Sequence, residues 1–422
     1  MKSRFFLFSH ILFCTPFLGQ VASEETLRLT LDSFVDRAVA KDLGVGESVY
    51  TKDIAEARKA AALAAPDPEV SLSYGTDALG NDEGERSIGL NLAQPFRLPG
   101  QKKALREIAN AETASANASR LEANRRAALR AEELFLHLLA AREHSNFAKQ
   151  ASELANELAA FVASAAGRGE ASSIDAGQTK LKSLAANETQ SAHEQKLSEL
   201  LADARSILRA KPTDVLVLDG VLEFPEERPA TPDDALGWRT RRPDLLLASR
   251  EEDRATARLR ERKAARWGTW RLEGFMEHAR EVDAIDANDR GNLERESFHG
   301  IGLSVELPWW GRRQAEEHEA RAELATASLR REVLAESIAI EVRTAAGREA
   351  VLFRRLSNFR DFLSPLAEKN GKDALEAYSQ GQISLQQVLQ VREETLRLRG
   401  EYFDLLLEYH LAATRLRAAL GE

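Results

Sequence analysis

Apolar and polar residues alternate in four short stretches of this chain, and after each pair of stretches the pattern changes to a long helical period. In EVSLSYGT, Val70, Leu72 and Tyr74 face one way and Ser71 and Ser73 the other; in SIGLNLAQPF, Ile88, Leu90 and Leu92 alternate with Ser87, Gly89 and Asn91. WGTWRLEGFMEH and FHGIGLSVELP repeat the theme, the second setting Ile301, Leu303, Val305 and Leu307 against Gly302, Ser304 and Glu306. A period of two predicts strands with one apolar face and one small or polar face.

Residues 101–166 hold neither Pro nor Gly and are rich in Ala, Leu, Glu, Arg and Lys, which predicts one helix roughly 100 Å long. Near its end Leu154, Leu158, Phe161 and Ala165 keep spacings of four, three and four, as a packing stripe should. GRGEASSIDAGQ turns the chain, and helix resumes from about Ile174 to Arg209. The second long run is more regular: Ile338, Val342, Ala345, Glu349, Leu352, Leu356, Phe359, Leu363 and Leu366 alternate steps of four and three. That 3.5-residue repeat predicts coiled-coil packing, with a local kink at Pro365. YSQGQISLQQV makes the second turn and Leu385 to Leu420 the return helix.

The two halves are copies of one unit. Ile88-Gly89-Leu90 precedes Pro95 and Gly100 as Ile301-Gly302-Leu303 precedes Pro308 and Gly311, and Lys102-Lys103 and Arg312-Arg313 follow. Gly100 and Gly169 are 69 positions apart, Gly311 and Gly381 are 70. An internal duplication of this kind predicts one elongated two-repeat body rather than separate globular domains. The first repeat spans 24–211, with a strand pair at about 69–96 and a helical hairpin at about 101–209; the second spans 233–422, with strands at about 267–308 and a hairpin at about 312–420. Shorter helices are predicted from Leu29 to about Asp42, with Thr30 as cap, and over Glu47 to Ala65, Asp233 to Arg241 and Asp244 to about Ala265. Residues 212–232, with Pro212, Pro225, Pro229 and Pro232, read as a connector with one short strand at Val215-Leu218.

Lys2 and Arg4, an apolar run from Phe5 to Leu18 and the small residues Val21-Ala22-Ser23 predict a secretory signal over 1–23. The only cysteine, Cys14, lies inside it, so the exported chain has no thiol for a disulfide or a metal. Export also moves the formal net charge from −9 to −11, which disfavours nucleic acid as a partner. No apolar run after the signal is long enough for a membrane helix, so any crossing falls to the strands, whose length suits a tilted transmembrane strand. Val70, Leu72, Ile88, Leu90, Ile301, Leu303 and Val305 would then face lipid. Phe96, Trp267, Trp309 and Trp310 fall where strands meet helices, the place of an interfacial aromatic belt.

Chemistry is hard to assemble from the remaining residues. His137 and His144 are seven apart on one helix with no acidic or cysteine partner at ligand spacing, and no HExxH, P-loop lysine or Ser-His-Asp set occurs. The expectation is no enzyme, no cofactor and no metal site.

Two strand pairs, two long hairpins, a signal and no membrane helix together resemble the TolC-like outer-membrane efflux proteins. The tips AAGRGEASSIDAGQTKL and EAYSQGQISLQQVLQVREETL, the junctions QPFRLPGQKKALR and ELPWWGRRQAE, and Pro365 in FLSPLAEK resemble the heavy-metal cation efflux branch. The resemblance covers nearly the whole exported chain and implies a mainly α fold with a small β part. Three copies would share a twelve-stranded transmembrane barrel above a periplasmic α-barrel. It further implies a passive exit duct in the outer membrane of a Gram-negative bacterium, working with a periplasmic adaptor and an inner-membrane pump expected to be proton-driven. Gly169, Ser172, Asp175, Gly381, Ser384 and Leu385 would form the adaptor-docking tips. Some members carry paired aspartates after the second tip; here the matching positions are Gln387 and Gln390, so the tunnel entrance would be neutral. Two other readings stay open: a soluble periplasmic coiled-coil scaffold, and the outer-membrane duct of a type I secretion system.

Overall fold

The computed structural model describes residues 26–76, 85–225, 237–266, 268–283, 292–306 and 311–422. The expected signal over 1–23, residues 226–232 of the connector, Leu307 and the aromatics Trp267, Trp309 and Trp310 lie outside them.

The first repeat runs β1 (Thr26–Leu29), α1 (Leu31–Lys41), α2 (Leu43–Leu63), β2 (Glu69–Thr76), β3 (Arg86–Phe96), α3 (Pro99–Gly167) and α4 (Ser173–Leu208). Pro99 opens α3 because a first-turn position needs no N–H and its φ is already helical, so the helix starts before Gln101. Thr30 caps α1 as expected, accepting from the Ser33 N–H at 3.3 Å. Leu29 is not helical, however. It ends β1, which pairs in parallel with β4 (Val215–Leu218) and ties the connector back to the start of the chain. The second repeat continues with α5 (Trp238–Arg241), α6 (Pro243–Ala265), β5 (Trp270–Asp283), β6 (Asn292–Val305) and α7 (Arg312–Asn358). A π-helical turn (Phe359–Leu363), α8 (Ser364–Ser379) and α9 (Leu385–Leu420) complete it. The helix expected from Asp233 is thus confined, among the described residues, to Trp238–Arg241.

One antiparallel sheet collects the strands of both repeats in the order β2-β3-β5-β6. β5 and β6 reach beyond the apolar stretch into the polar run at 280–296, with pairing continuing to Asp283 and Asn292. Backbone pairing persists there although the side chains are no longer apolar, as it can wherever a hairpin stands in water.

The repeats also meet the sheet in matching ways. Arg97 donates from Nη1 to the carbonyls of Ala62 (2.7 Å) and Ala64 (3.1 Å) at the end of α2, and Arg313 donates to the carbonyl of Ala265 at the end of α6. Each arginine satisfies carbonyls that a helix C-terminus leaves unpaired. Gln101 links the copies, accepting from the Leu98 N–H and donating to the Gly268 carbonyl at 2.9 Å.

The cores sit at the middle of the hairpins. In the first, Phe34 packs on Phe135, ring centroids 5.4 Å apart, beside the buried Leu29, Leu138 and Leu208; in the second, Leu352 and Leu356 pack on Leu405, Leu406 and Tyr409. Toward the tips the packing changes character, and the expected stripe on α3 holds at Ala165 but not at Leu154 and Phe161. Ser152, Ala159, Val162 and Ala165 are buried, whereas Leu154 and Phe161 are 39% and 60% exposed. Small side chains bring α3 and α4 close, and a polar ladder fills the seam: Ser152 donates to Asn187 (2.6 Å), Asn156 to Asn187 (2.9 Å) and Ser183 to Asn156 (2.6 Å). The large apolar groups are left on the outside.

On α7 the expected stripe holds at Ile338, Glu349, Leu352 and Leu356, all buried, and then fails: Leu363 and Leu366 are exposed, and burial passes to Ala367 and Ala374. The cause is the π turn, where the Ser364 N–H bonds the Phe359 carbonyl five residues back. Pro365 lacks an N–H and its ring crowds the turn before it, so the ladder widens there. A π turn holds about one residue more than an α turn, so the residues beyond it are rotated relative to those before it.

Gly268 has φ +74°, and a Cβ there would lie 2.0 Å from the Glu306 carbonyl oxygen; Gly311 has φ +71° with no such neighbour. Gly268→Ala is expected to destabilise the chain by at least about 2 kcal/mol and Gly311→Ala by about 1 kcal/mol, the cost of left-handed backbone alone. Chemical denaturation of both variants checks this, and equal losses would contradict the close approach.

Candidate functional site

Three regions carry the residues of interest: one face of the sheet, the two hairpin tips, and a groove between α9 and the first hairpin. On the sheet the register places Val70, Leu72, Ile88, Leu90, Ile301, Leu303 and Val305 on one side, because directly paired residues share a face. No described residue covers that side: Ile301 is 84% and Leu72 78% exposed. The opposite face carries cross-strand polar pairs, with Ser304 donating to Glu273 at 2.6 Å and Arg271 to Glu306 at 2.9 Å. Phe96 ends the apolar face beside Trp270, centroids 6.4 Å apart. Trp270 was missed from sequence because the strand was taken to begin three residues earlier, at Trp267.

Both tips are built alike. Gly169 (φ +77°) and Gly381 (φ +72°) follow the last helical turns. The Gly169 and Glu170 N–H groups donate to Ala166 and Ala165, and those of Gly381 and Gln382 to Tyr378 and Ala377, at 2.8–3.0 Å. This paired closure is a Schellman motif, which needs a residue free to adopt positive φ at the glycine. Three residues on, Ser172 accepts from the Ile174 N–H at 3.1 Å and Ser384 from the Gln387 N–H at 3.3 Å. Asp175 stands in the first turn of α4, where a negative charge suits the helix N-terminus. Leu385 begins α9, its side chain outside the described residues. Gln387 turns back to accept from the Ser384 N–H at 2.9 Å, so it serves as a cap; Gln390 is exposed and borders the groove between α8 and α9.

Between the first hairpin and α9 run two adjoining cavities of about 250 and 540 Å³. Lys182 of α4 bridges the first to Glu393 of α9 at 2.9 Å. In the second, His144 stacks on His193 of α4, centroids 5.4 Å apart, and its Nε2 lies 3.1 Å from an Asp404 carboxylate oxygen on α9. His144 therefore has an acidic neighbour, 260 positions away in sequence, where no spacing rule could find it. Among the described residues no group of three or more His, Cys, Asp or Glu could hold a metal ion. Burial pushes the imidazoles of His193, His137 and His410 below their ordinary pKa, with the neighbouring His144 adding to the effect at His193.

The fold is shared with outer-membrane channels of known structure. By sequence the chain matches no protein-family model and no curated protein. Its structure superimposes on that of CusC, solved in work on folding and transmembrane channel formation, with a TM-score of 0.76 at 16% identity over 94% of this chain and 93% of that one. The Campylobacter jejuni CmeC outer membrane channel gives 0.72 at 16%, covering 93% and 85%. The open state of the Neisseria gonorrhoeae MtrE outer membrane channel gives 0.74 at 15%, covering 93% and 88%. A likeness across so much of each chain at so little identity establishes the architecture. Among the described residues no helix is long and apolar enough to cross a membrane.

The lowered histidine pKa values have a definite sign. A base with a folded pKa below its unfolded value of about 6.5 stabilises the fold fully above that pH, and the contribution is lost as pH falls toward the folded pKa. The thermal midpoint is expected to fall between pH 7.5 and pH 5, and His193→Gln to reduce the difference. An identical pH profile for that variant would remove His193 as a contributor.

Proposed function

We propose that this chain is not an enzyme but a passive exit duct of the Gram-negative outer membrane, the end piece of an efflux system. The observation that carries the reading is the apolar face of the β2-β3-β5-β6 sheet, fully exposed on a sheet with two open edges. Unpaired strand edges are not tolerated in lipid, which supports closure with further copies; two more would make a twelve-stranded barrel. The exposed apolar side chains of the hairpins support the same assembly. Phe161, Leu181 and Leu184 lie on α3 and α4, and Ile340 and Phe362 on the second hairpin, where a neighbouring copy would cover them. The tips Gly169 to Asp175 and Gly381 to Leu385 would dock a periplasmic adaptor that joins the duct to a proton-driven inner-membrane pump. Metal cations are the proposed cargo, on the strength of the tip and junction motifs.

Leu303 and Ser304 are neighbours on opposite faces of β6. Leu303→Arg is expected to block recovery of trimer from the outer-membrane fraction, since such a residue costs about 2 to 4 kcal/mol at the bilayer midplane. Ser304→Arg should insert nearly normally. Recovery of wild type in the soluble periplasmic fraction would instead favour a coiled-coil scaffold.

Gln387 and Gln390 would form neutral rings at the tunnel entrance of the trimer. Replacing both by Asp keeps an acceptor at the cap and adds two acidic charges per chain in a narrow, poorly screened site. Divalent cations on the periplasmic side are expected to block the variant and to leave wild type conducting in planar bilayers. A wild type already tightly blocked, with no change in the variant, would remove these residues from the entrance.

A further inference from the structure

The apolar face of the sheet ends, on the side away from the helices, in a row of like charges. Arg86 of β3 is paired with Arg280 of β5, and Arg280 with Arg295 of β6. Pairing across an antiparallel sheet puts all three on one face, and parity along each strand makes it the face of Leu90, Met276 and Ile301. Neighbouring side chains in such a row start about 5 Å apart, and like charges directly opposite destabilise a sheet. All three arginines are exposed, and among the described residues none of them forms an ion pair. The acids Glu273, Glu277 and Glu296 all fall on the other face.

The height of the row is informative. Phe96 and Trp270 mark the helix-proximal edge of the apolar face, and Arg86 and Arg280 stand ten residues along the same strands. Ten residues at about 3.3 Å, tilted by about 45°, rise about 23 Å, close to the roughly 25 Å apolar band of an outer-membrane barrel. The row thus lies at the far edge of the band, where headgroups begin. Just inside it, His278 contacts the Ser297 hydroxyl through Nδ1 at 2.7 Å, and the next row holds Leu72, Leu90, Met276 and His299. An occupant must satisfy three guanidinium groups and lay hydrocarbon on Leu90, Met276 and Ile301.

We propose that Arg86, Arg280 and Arg295 bind the phosphate groups of an outer-leaflet phosphorylated glycolipid of the lipid A class, whose acyl chains cover the strands beneath. Guanidinium groups take phosphate oxygens in pairs, and the anion converts the mutual repulsion of the row into attraction. The inference rests on the outer-membrane reading, and its test separates the two. The full chain is reconstituted into phosphatidylcholine vesicles containing either bisphosphorylated lipid A or its dephosphorylated form, then extracted gently, and the retained glycolipid is quantified by mass spectrometry. Wild type is expected to retain the phosphorylated form selectively, even with millimolar inorganic phosphate present. A triple Arg→Gln variant at 86, 280 and 295 should insert equally well and lose retention roughly tenfold or more, whereas triple Arg→Lys, which keeps the charge but not the paired donors, should fall between. Equal retention by the Gln variant, no preference for the phosphorylated form, or full displacement by free phosphate would each overturn the proposal while insertion remains normal. Failure of wild type to insert at all would sink the duct reading together with it.

Discussion

The antiparallel ladder between β3 and β5 is the contact on which the rest of this molecule depends. It joins the last strand of the first repeat to the first strand of the second through eleven residue pairs, and so makes one sheet out of two hairpins. Its register decides which side chains share a face. A slip of one residue would turn the Leu90 face of one hairpin against the Glu273 face of the other. The ladder also bears on the direction of α3 and α7, because both leave the sheet through a held junction: Arg97 and Arg313 hold the ends of the short helices, and Gln101 bridges to Gly268. A small local registry is thereby carried over the length of α3.

Below the sheet both hairpins change chemistry along their length. Their middles are packed with large apolar side chains, and toward the tips small ones take over, with serine and asparagine filling the seam of the first. The two hairpins meet through spaced polar links such as Lys182 with Glu393, His144 with Asp404 and Arg415 with Glu133, the last at 2.6 Å. Exposed or half-exposed links of this sort contribute little each and separate readily, in contrast to the interdigitated seams. The body is therefore stiff within each hairpin and more compliant between them.

Much of this was legible in the sequence, for identifiable reasons. Alternation in EVSLSYGT and FHGIGLSVELP fixes the faces of strands without reference to partners, and the Gly-x-x-Ser spacing at 169–172 and 381–384 encodes both tip turns locally. What was missed is non-local. β1 exists only because Val215–Leu218 returns to pair with it. Asp404 reaches His144 only once α9 lies beside α3. Leu154 and Phe161 have the spacing of a packed stripe, but periodicity states that a stripe exists and not which neighbour covers it. Arg86, Arg280 and Arg295 look like scattered surface charges until the register aligns them.

The π turn at Phe359–Leu363 works as a phase corrector. Each residue added to a straight helix swings everything beyond it by about 100°. Without the wider turn, α8 would present another of its faces along the line of α7, although the closing turn at its tip would be the same. By widening one turn beside Pro365, the chain separates two quantities that a helix normally couples, its length in residues and the bearing of its far end. A hairpin built this way can gain or lose a residue without turning its tip.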